Sequence, residues 1–300
     1  MRKCRKCGKR AVVYLPQHRI AFCKEHYLEW YTKRVEETIR EFRMFDREEK
    51  VLVAVSGGKD SLSLWQVLHS LGYHAEGLYI HLGIGEYSER SKAVCKRFAE
   101  ERGLTLHMLE LEKVIASVPT IKSLESRPAC SFCGQLKRYY MNRFAKEGGF
   151  SVVATGHNLD DEVATLFANT LSWQVDYMAR QAPLLPEESG FVRKVKPLFK
   201  FTEKENALYA LLSGIEYLEE ECPFAEGASS LRYKRLLSQI EEESPGTKLR
   251  FYLDFLRRVR PMLEKGPALR PCKVCGEPTQ GEVCGVCRLR ERLTSKALSS

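Results

Sequence analysis

No stretch of this 300-residue chain approaches the roughly 18 consecutive apolar residues of a membrane span, which sets aside an integral membrane protein. The N-terminus, Met1-Arg2-Lys3-Cys4, leads into cysteines rather than an apolar export segment, so a cytoplasmic location is expected. Asparagine and glutamine together number only 11, which suits a chain exposed to heat. There is no low-complexity tract. Neither a Walker A loop nor a GxGxxG turn is found at the main glycine turn, so two familiar nucleotide signatures do not apply. What is present is a 44% hydrophobic composition, enough to bury a core in one large or two modest domains. Eleven cysteines without an export segment read better as metal ligands than as disulfides.

The cysteines cluster at the ends. Cys4-x2-Cys7, then 15 residues, then Cys23-x2-His26 has the spacing of a tetrahedral zinc site with three thiolates and one imidazole, so residues 1–26 read as a zinc finger. Cys272-x2-Cys275, eight residues, and Cys284-x2-Cys287 supply four thiolates to residues 266–300, a segment too short for its own apolar core. Both sites are closed and therefore structural, since no coordination position is left for a substrate. Charge follows the same division. Residues 1–50 hold 14 Lys and Arg against 8 Asp and Glu, and residues 248–300 hold 12 against 5, while the whole chain stands at +9. The basic excess therefore sits on or beside the two metal modules, including the run Arg257-Arg258-Val259-Arg260 and Arg288, Arg290 and Arg292. A polyphosphate backbone such as RNA is the natural partner.

Between these ends lies Ser56-Gly57-Gly58-Lys59-Asp60-Ser61, preceded by the apolar run Val51–Val55 and followed by a helical pattern. A glycine turn from strand to helix offers backbone N–H groups and the positive end of a helix dipole to an anion, so a phosphorylated ligand is expected here. Strand-like runs recur at Ala75–His81, Leu104–Leu109 and Val152–Ala154, separated by helical stretches such as Ser88–Glu101 and Phe132–Lys146. The alternation predicts an α/β fold whose parallel sheet carries the nucleotide site beyond its strand ends, where Ser56–Ser61, Ile80–Gly85 and Thr155–Asp161 converge. The core is placed at residues 50–200, with residues 201–265 a helical segment that completes it. A helix from Glu25 to Phe45, with Trp30, Val35, Ile39, Phe42 and Phe45 as its apolar stripe, forms most of a linker at 27–49.

Cys95 sits in an amphipathic helical pattern and reads as core. Cys130 and Cys133, with the distant Cys222, make three candidate ligands, each near a helix start or a turn. Three thiolates suit an open site such as a 4Fe–4S cluster with one iron free for an exogenous group. A disulfide between Cys222 and Cys130 or Cys133 acting as a persulfide relay, or a third zinc site, fits the spacing equally.

SGGKDS resembles the PP-loop of N-type ATP pyrophosphatases, which split ATP into AMP and pyrophosphate. Together with Cys130-x2-Cys133-Gly134, Thr155-Gly156-His157-Asn158-Leu159-Asp160-Asp161, Glu221-Cys222-Pro223 and metal modules at both ends, it resembles the TtcA/TtuA group of tRNA 2-thiolation enzymes over nearly the whole chain. The double zinc architecture is most similar to the TtuA branch, which acts on the T-loop ribothymidine, and is shared by the wobble-uridine thiolases. The resemblance implies two Zn²⁺, ATP, Mg²⁺ and one 4Fe–4S cluster on Cys130, Cys133 and Cys222. It implies adenosine contacts from Val53 to Ser56, Ala54 among them, and from Ile80. Gly57, Gly58, Lys59 and Ser61 would hold the phosphates, Asp60 would support Mg²⁺, and Gly156 would line the crevice. Lys137 would reach the α-phosphate, and Asp161 would orient the uracil or take its proton. A solvated lysine, for Lys137, and helix N-terminal capping, for Asp160 and Asp161, are the plainer readings. The implied partners are tRNA and a ubiquitin-like sulfur carrier with a C-terminal thiocarboxylate, with no membrane and with a homodimer as an option. Rival readings are a wobble-uridine or anticodon-loop cytidine thiolase, an adenylating amidoligase, and a non-catalytic zinc-ribbon RNA-binding protein.

Overall fold

The computed structural model describes residues 2–188, 190–225, 229–264 and 268–297, so the expected boundary at 265/266 lies outside the described residues. The chain opens with an antiparallel hairpin, β1 (Val13–Leu15) and β2 (Ile20–Phe22), followed by α1 (Lys24–Glu41). The buried face of α1 is Tyr27, Tyr31, Val35, Thr38 and Ile39, a steady helical spacing, while Trp30 and Phe42 of the expected stripe are only half-buried. The helix also stops before Phe45. Arg43 takes a left-handed φ of 48°, the N–H of Met44 donates to the carbonyl of Ile39, and that of Arg43 to Arg40, a Schellman ending with arginine where glycine is usual. Phe45 is buried beyond the helix, edge-on against Tyr73 with ring centroids 5.1 Å apart.

The core follows as β3 (Val51–Val55), α2 (Lys59–Ser70), β4 (Ala75–His81), α3 (Gly85–Arg102) and β5 (Leu106–Glu110). Two short helices, α4 (Leu111–Val114) and α5 (Val118–Leu124), lead into α6 (Ala129–Glu147), β6 (Val152–Thr155), α7 (Leu159–Leu171) and α8 (Val175–Ala179). A two-residue strand, β7 (Leu184–Leu185), and a three-residue strand, β8 (Arg193–Val195), extend the sheet beyond the runs legible in the sequence. Then come α9 (Glu203–Ser213), α10 (Ser229–Glu243), α11 (Thr247–Asp254) with a π turn at Phe255–Val259, the short pair β9 (Arg270–Pro271) and β10 (Pro278–Thr279), and α12 (Gly285–Ala297). No helix among the described residues is long and apolar enough to cross a membrane.

The six-stranded sheet has the order β5-β4-β3-β6-β8-β7, parallel except for the β7 edge. From β3 the chain winds outward through β4 and β5, then returns to the other side of β3 as β6, so the topological switch lies between β3 and β6. Alternation along the strands divides the interior in two. Val51, Val53, Val55, Val152 and Ala154 face a cluster that includes α1, α2, α9 and the N-terminal Cys4 and Cys23. Leu52, Leu78, Ile80 and Val153 face α5, α6 and the C-terminal Cys272, Cys284 and Cys287. The two metal modules thus brace opposite faces of one sheet.

Candidate functional site

Four ligand atoms gather at each end of the chain. Cys4, Cys7, Cys23 and His26 form one group, and Cys272, Cys275, Cys284 and Cys287 the other, each with all its ligand atoms within 4.8 Å of one another. A tetrahedron with Zn–S bonds of about 2.3 Å has edges of roughly 3.8 Å. The Cys7–Cys23 sulfurs are 3.8 Å apart and the Cys275–Cys284 sulfurs 3.7 Å, while His26 Nδ1 stands 3.5 Å from Cys4 Sγ and 3.2 Å from Cys23 Sγ. In the second site the N–H groups of Val274 and Cys284 donate to Cys272 Sγ at 3.4 and 3.2 Å. Burial acts against the thiolate of Cys272, yet these donors outweigh it and bring the thiol down to about 6, ready to ligate.

At the switch point the carboxyl ends of β3, β4 and β6 enclose a cavity of about 340 Å³. Its lining includes Ala54, Ser56, Asp60, Ser61, Ile80, Lys137, Gly156 and Asp161, eight residues drawn from four separated parts of the sequence. Gly57, Gly58 and Lys59 occupy the turn between Ser56 and Asp60, at the start of α2. That turn is stapled by Ser61, whose hydroxyl accepts from the N–H of Ser56 (3.1 Å) and donates to the carbonyl of Gly58 (3.0 Å), while Ser91 donates to the carbonyl of Ser56 (2.7 Å). Two glycines are dictated by geometry. Gly57 has φ +78°, and a Cβ on Gly156 would lie 2.8 Å from the backbone N of Ser61, so the β6 loop passes the PP-loop only without a side chain.

Charges around the turn are matched. Lys59 Nζ donates to Glu203 (2.8 Å) and to Asp60 (3.3 Å), and Asn206 donates to Asp60 (2.7 Å) while accepting from the hydroxyl of Tyr31 (2.7 Å). Burial raises the Asp60 carboxyl above its ordinary value, with Asp161 and Glu203 adding to it and Lys59 and Asn206 only partly offsetting. Three acidic groups close together present the surroundings a divalent cation would relieve. Asp161 closes a capping box with Asn158 and also pairs with Lys234 at 2.6 Å. Burial acts to raise the Asp161 carboxyl, but the Lys234 ammonium outweighs it and keeps it ionised below the usual carboxylate range. Capping and cavity lining are therefore both true of Asp161.

Asp160 differs. It is buried, pairs with Lys248 at 2.5 Å and accepts the N–H of Glu203 (2.7 Å) at the start of α9. It does not line the cavity. Lys248→Met leaves this carboxylate buried without its counter-ion, and a loss of about 3–5 kcal/mol is expected in denaturant titration. A change below about 1 kcal/mol would show that water already compensates Asp160.

Cys130 and Cys133 lie in the first turn of α6, three residues earlier than the helix expected from Phe132, and Lys137 follows Cys133 by one turn. Cys130 Sγ donates to the carbonyl of Phe224 (3.3 Å), which brings the Cys222–Ala225 turn beside the helix start. Tyr87, a cavity-lining residue, packs against the same buried cluster as Cys133 and Cys222. The three thiols form no disulfide and are not drawn into a compact set like the terminal ones, so they differ from the single-ion tetrahedra. Cys95 is buried core, as expected.

Comparison with known proteins places this geometry. The PP-loop domain family matches residues 29–235, and the N-terminal LIM domain of 2-thiouridine synthetase TtuA matches residues 3–28. The chain is 52% identical to the tRNA-5-methyluridine(54) 2-sulfurtransferase of Thermus thermophilus over 98% of its length and 92% of that protein's. It is 39% identical to the enzyme of the same name from Pyrococcus horikoshii, over 99% and 97%. The chain belongs to the TtuA family. Among solved structures it resembles the U34-tRNA thiolase NcsA from Methanococcus maripaludis with its [4Fe-4S] cluster, with a TM-score of 0.85, 27% identity and coverage of 98% and 97%. It is thus a tRNA sulfurtransferase with a PP-loop ATP pyrophosphatase domain, and the greater identity lies with the T-loop enzymes rather than with the wobble-uridine thiolase.

Sequence reasoning missed Glu203 and Asn206 of α9, which reach the turn across more than 140 residues, and Lys234 of α10, which pairs with Asp161 and Glu203. Thr202 with Glu205 signals a capping box, but nothing local marks Glu203 or Lys234 as facing a site. The basic ends are also less free than their composition suggests. Arg292 is tied to Glu125 (2.7 Å) and Lys6 to Glu29 (2.9 Å), while Arg290 bonds the Tyr140 hydroxyl (3.4 Å).

Proposed function

We propose that this chain replaces the O2 of 5-methyluridine at tRNA position 54 by sulfur, consuming ATP and releasing AMP and pyrophosphate. The observation that carries the reading is α6. One helix bears Cys130 and Cys133 at its start and, a turn later, sets Lys137 in the wall of the switch-point cavity, so sulfur-handling and phosphate-handling groups share one rigid element. ATP lies with its adenosine against Ala54, Ser56 and Ile80, and its phosphates on the N–H groups of Gly57 and Gly58, Lys59 and Ser61. Asp60, with Asp161 and Glu203 nearby, supplies oxygen ligands for Mg²⁺. Lys59 exchanges Glu203 for phosphate as the nucleotide enters.

Uracil O2 attacks the α-phosphorus, the bond to pyrophosphate breaks, and Lys137 stabilises the charge that develops. Asp161, ionised by its environment, orients the base or takes the proton that O2 attack makes acidic. Hydrosulfide then adds at carbon 2, the C2–O bond breaks, AMP leaves with the oxygen, and the sulfur proton replaces the one the base gave up at N3, so no electron is gained or lost. Cys130, Cys133 and Cys222 would hold a 4Fe–4S cluster, which would supply an iron position open to an exogenous sulfide. Cys4, Cys7, Cys23 and His26, and Cys272, Cys275, Cys284 and Cys287, would each hold a structural zinc ion. Sulfur arrives from a ubiquitin-like carrier with a C-terminal thiocarboxylate, and the reaction takes place in the cytoplasm.

The test is anaerobic incubation with ATP, sulfide and tRNA lacking the thio group, read by nucleoside mass spectrometry with AMP release in parallel. One 2-thio-5-methyluridine per AMP is expected. A thionucleoside at position 34 alone, or AMP released without sulfur in the RNA, overturns the reading. Lys59→Ala should weaken ATP binding by roughly ten- to a hundredfold in calorimetry, the loss of a charge-assisted phosphate contact. Unaltered affinity would remove the PP-loop from the site.

A further inference from the structure

Met141 of α6 stands in the wall of two cavities. One is the switch-point cavity. The other, about 290 Å³, lies over β6 and β8, against the turn between β7 and β8. Its walls include Val153, Phe191 and Val192, and its charged lining includes Arg138 from α6, Lys194 from β8 and Arg260 from the basic run that follows α11. None of these cations has a part in the chemistry above.

Three observations bear on what the cavity takes. First, the cations lack counter-charges among the described residues. Lys196, just past the end of β8, is paired with Glu162 at 2.7 Å, whereas Lys194, in register with Val153, has no carboxylate at ion-pair distance among the described residues. Arg138 likewise has none, and Arg260 Nε is buried with no acceptor. Glu188 also lines the cavity, but no ion pair joins it to the three. A buried donor without an acceptor costs about 1–3 kcal/mol, which an anion in the cavity would recover. Partial burial, together with the charges of Lys196 and Arg138, presses the Lys194 ammonium down to about 8, and an anion would relieve that too. Second, the walls between the cations are apolar, so the anion carries a flat or apolar group rather than being a bare ion. Third, aromatic rings stand exposed on the adjoining segment. Tyr177, in α8, is 67% exposed, and Trp173, just before α8, is 76% exposed. Exposed rings beside cations are the surface on which single-stranded RNA bases stack.

We propose that this second cavity receives one unstacked nucleotide of the tRNA loop, a neighbour of the reacting one, with its phosphate on Arg138, Lys194 and Arg260 and its base against Phe191 and Val192. The proposal rests on the reading of the chain as a tRNA thiolase. The reacting base itself belongs in the first cavity, where Lys137 and Asp161 are, and the strand passes from one cavity to the other over Met141. A free mononucleotide offers the same chemistry, and the test separates the two.

Lys194→Met, Lys194→Arg and wild-type protein are compared for tRNA affinity across a salt series, for the KM and kcat of thiolation, and for ATP affinity. Lys194→Met is expected to bind tRNA about tenfold more weakly and to lower the salt slope by about 1, the signature of one lost phosphate contact. KM for tRNA rises in step, ATP affinity is unchanged, and Lys194→Arg restores most of the affinity. A merely structural role for Lys194 would move neither the slope nor the arginine rescue. Equal affinity and slope in Lys194→Met overturn the proposal. So does uridine monophosphate binding that is lost in Lys194→Met while tRNA binding is kept, since that assigns the cavity to a small molecule. If wild-type protein binds tRNA but thiolates nothing, the catalytic reading fails while the binding series still judges the cavity.

Discussion

Cys133→Ala, prepared and reconstituted without oxygen, is expected to retain both terminal metal ions and its affinity for ATP and tRNA, yet to lose thiolation by ~10³-fold or more. Cys130→Ala and Cys222→Ala are expected to do the same, and the equality of the three is the informative part. A persulfide relay needs an attacking and a resolving thiol, so one member of the trio would be dispensable. A cluster with three protein ligands needs all of them. The geometry favours the second outcome, because Cys130 and Cys133 are fixed in one helical turn, with Cys222 brought beside it by the turn whose Phe224 carbonyl accepts from Cys130 (3.3 Å). Iron and sulfide analysis provides the independent readout. About four iron in the wild type and a much lower content in each variant support the cluster, whereas full iron loading with activity lost in only two variants would transfer the sulfur step to thiol chemistry.

The parts of this molecule legible in the sequence are those whose chemistry is local. SGGKDS announced a strand, a turn and a helix because its glycines and its following helix occupy adjacent positions, and the two metal sites were legible because their ligands come in pairs with two residues between. Gly156 is a middle case. It stands in a readable motif, but the reason for its glycine, a backbone 2.8 Å from where its Cβ would be, arises only when β6 is laid beside β3. Glu203, Asn206 and Lys234 were illegible because each is an ordinary polar residue on an ordinary helix until α9 packs on α2 and α10 on α7. The end of α1 was misplaced for a different reason. Its stop signal is Arg43 in a left-handed conformation, and an arginine carries no such message in one dimension. Strands of two and three residues, such as β7 and β8, fall below any periodicity, yet they build the wall that carries Lys194.

Cys284→Ser should cost the enzyme its activity from a distance. Zinc is worth about 10–16 kcal/mol to free zinc-finger peptides at neutral pH, and a module of this size has no core to hold it without the metal. Here the consequence reaches α6. Val286 and Leu289 of α12 lie in the same buried cluster as Phe132, Leu136, Tyr139 and Tyr140 of α6, and Glu277 accepts from Asn142 (2.6 Å) and Lys146 (3.0 Å). Arg292 adds its pair with Glu125 at the end of α5. When the module opens, α6 loses the cover that fixes Cys130, Cys133 and Lys137 relative to the cavity. Thiolation is therefore expected to fall by on the order of a hundredfold, the scale on which supports behind a site act. Metal analysis should show one zinc per chain, and hydrogen exchange should quicken in α6 while β3 and α2 stay protected. The N-terminal module supports the other face through α1, whose Tyr31 bonds Asn206 and so Asp60, and its loss should instead weaken ATP binding. Full protection of α6 in Cys284→Ser, with thiolation intact, would mean that the C-terminal module acts only on RNA and that the helix carrying both halves of the chemistry stands without it.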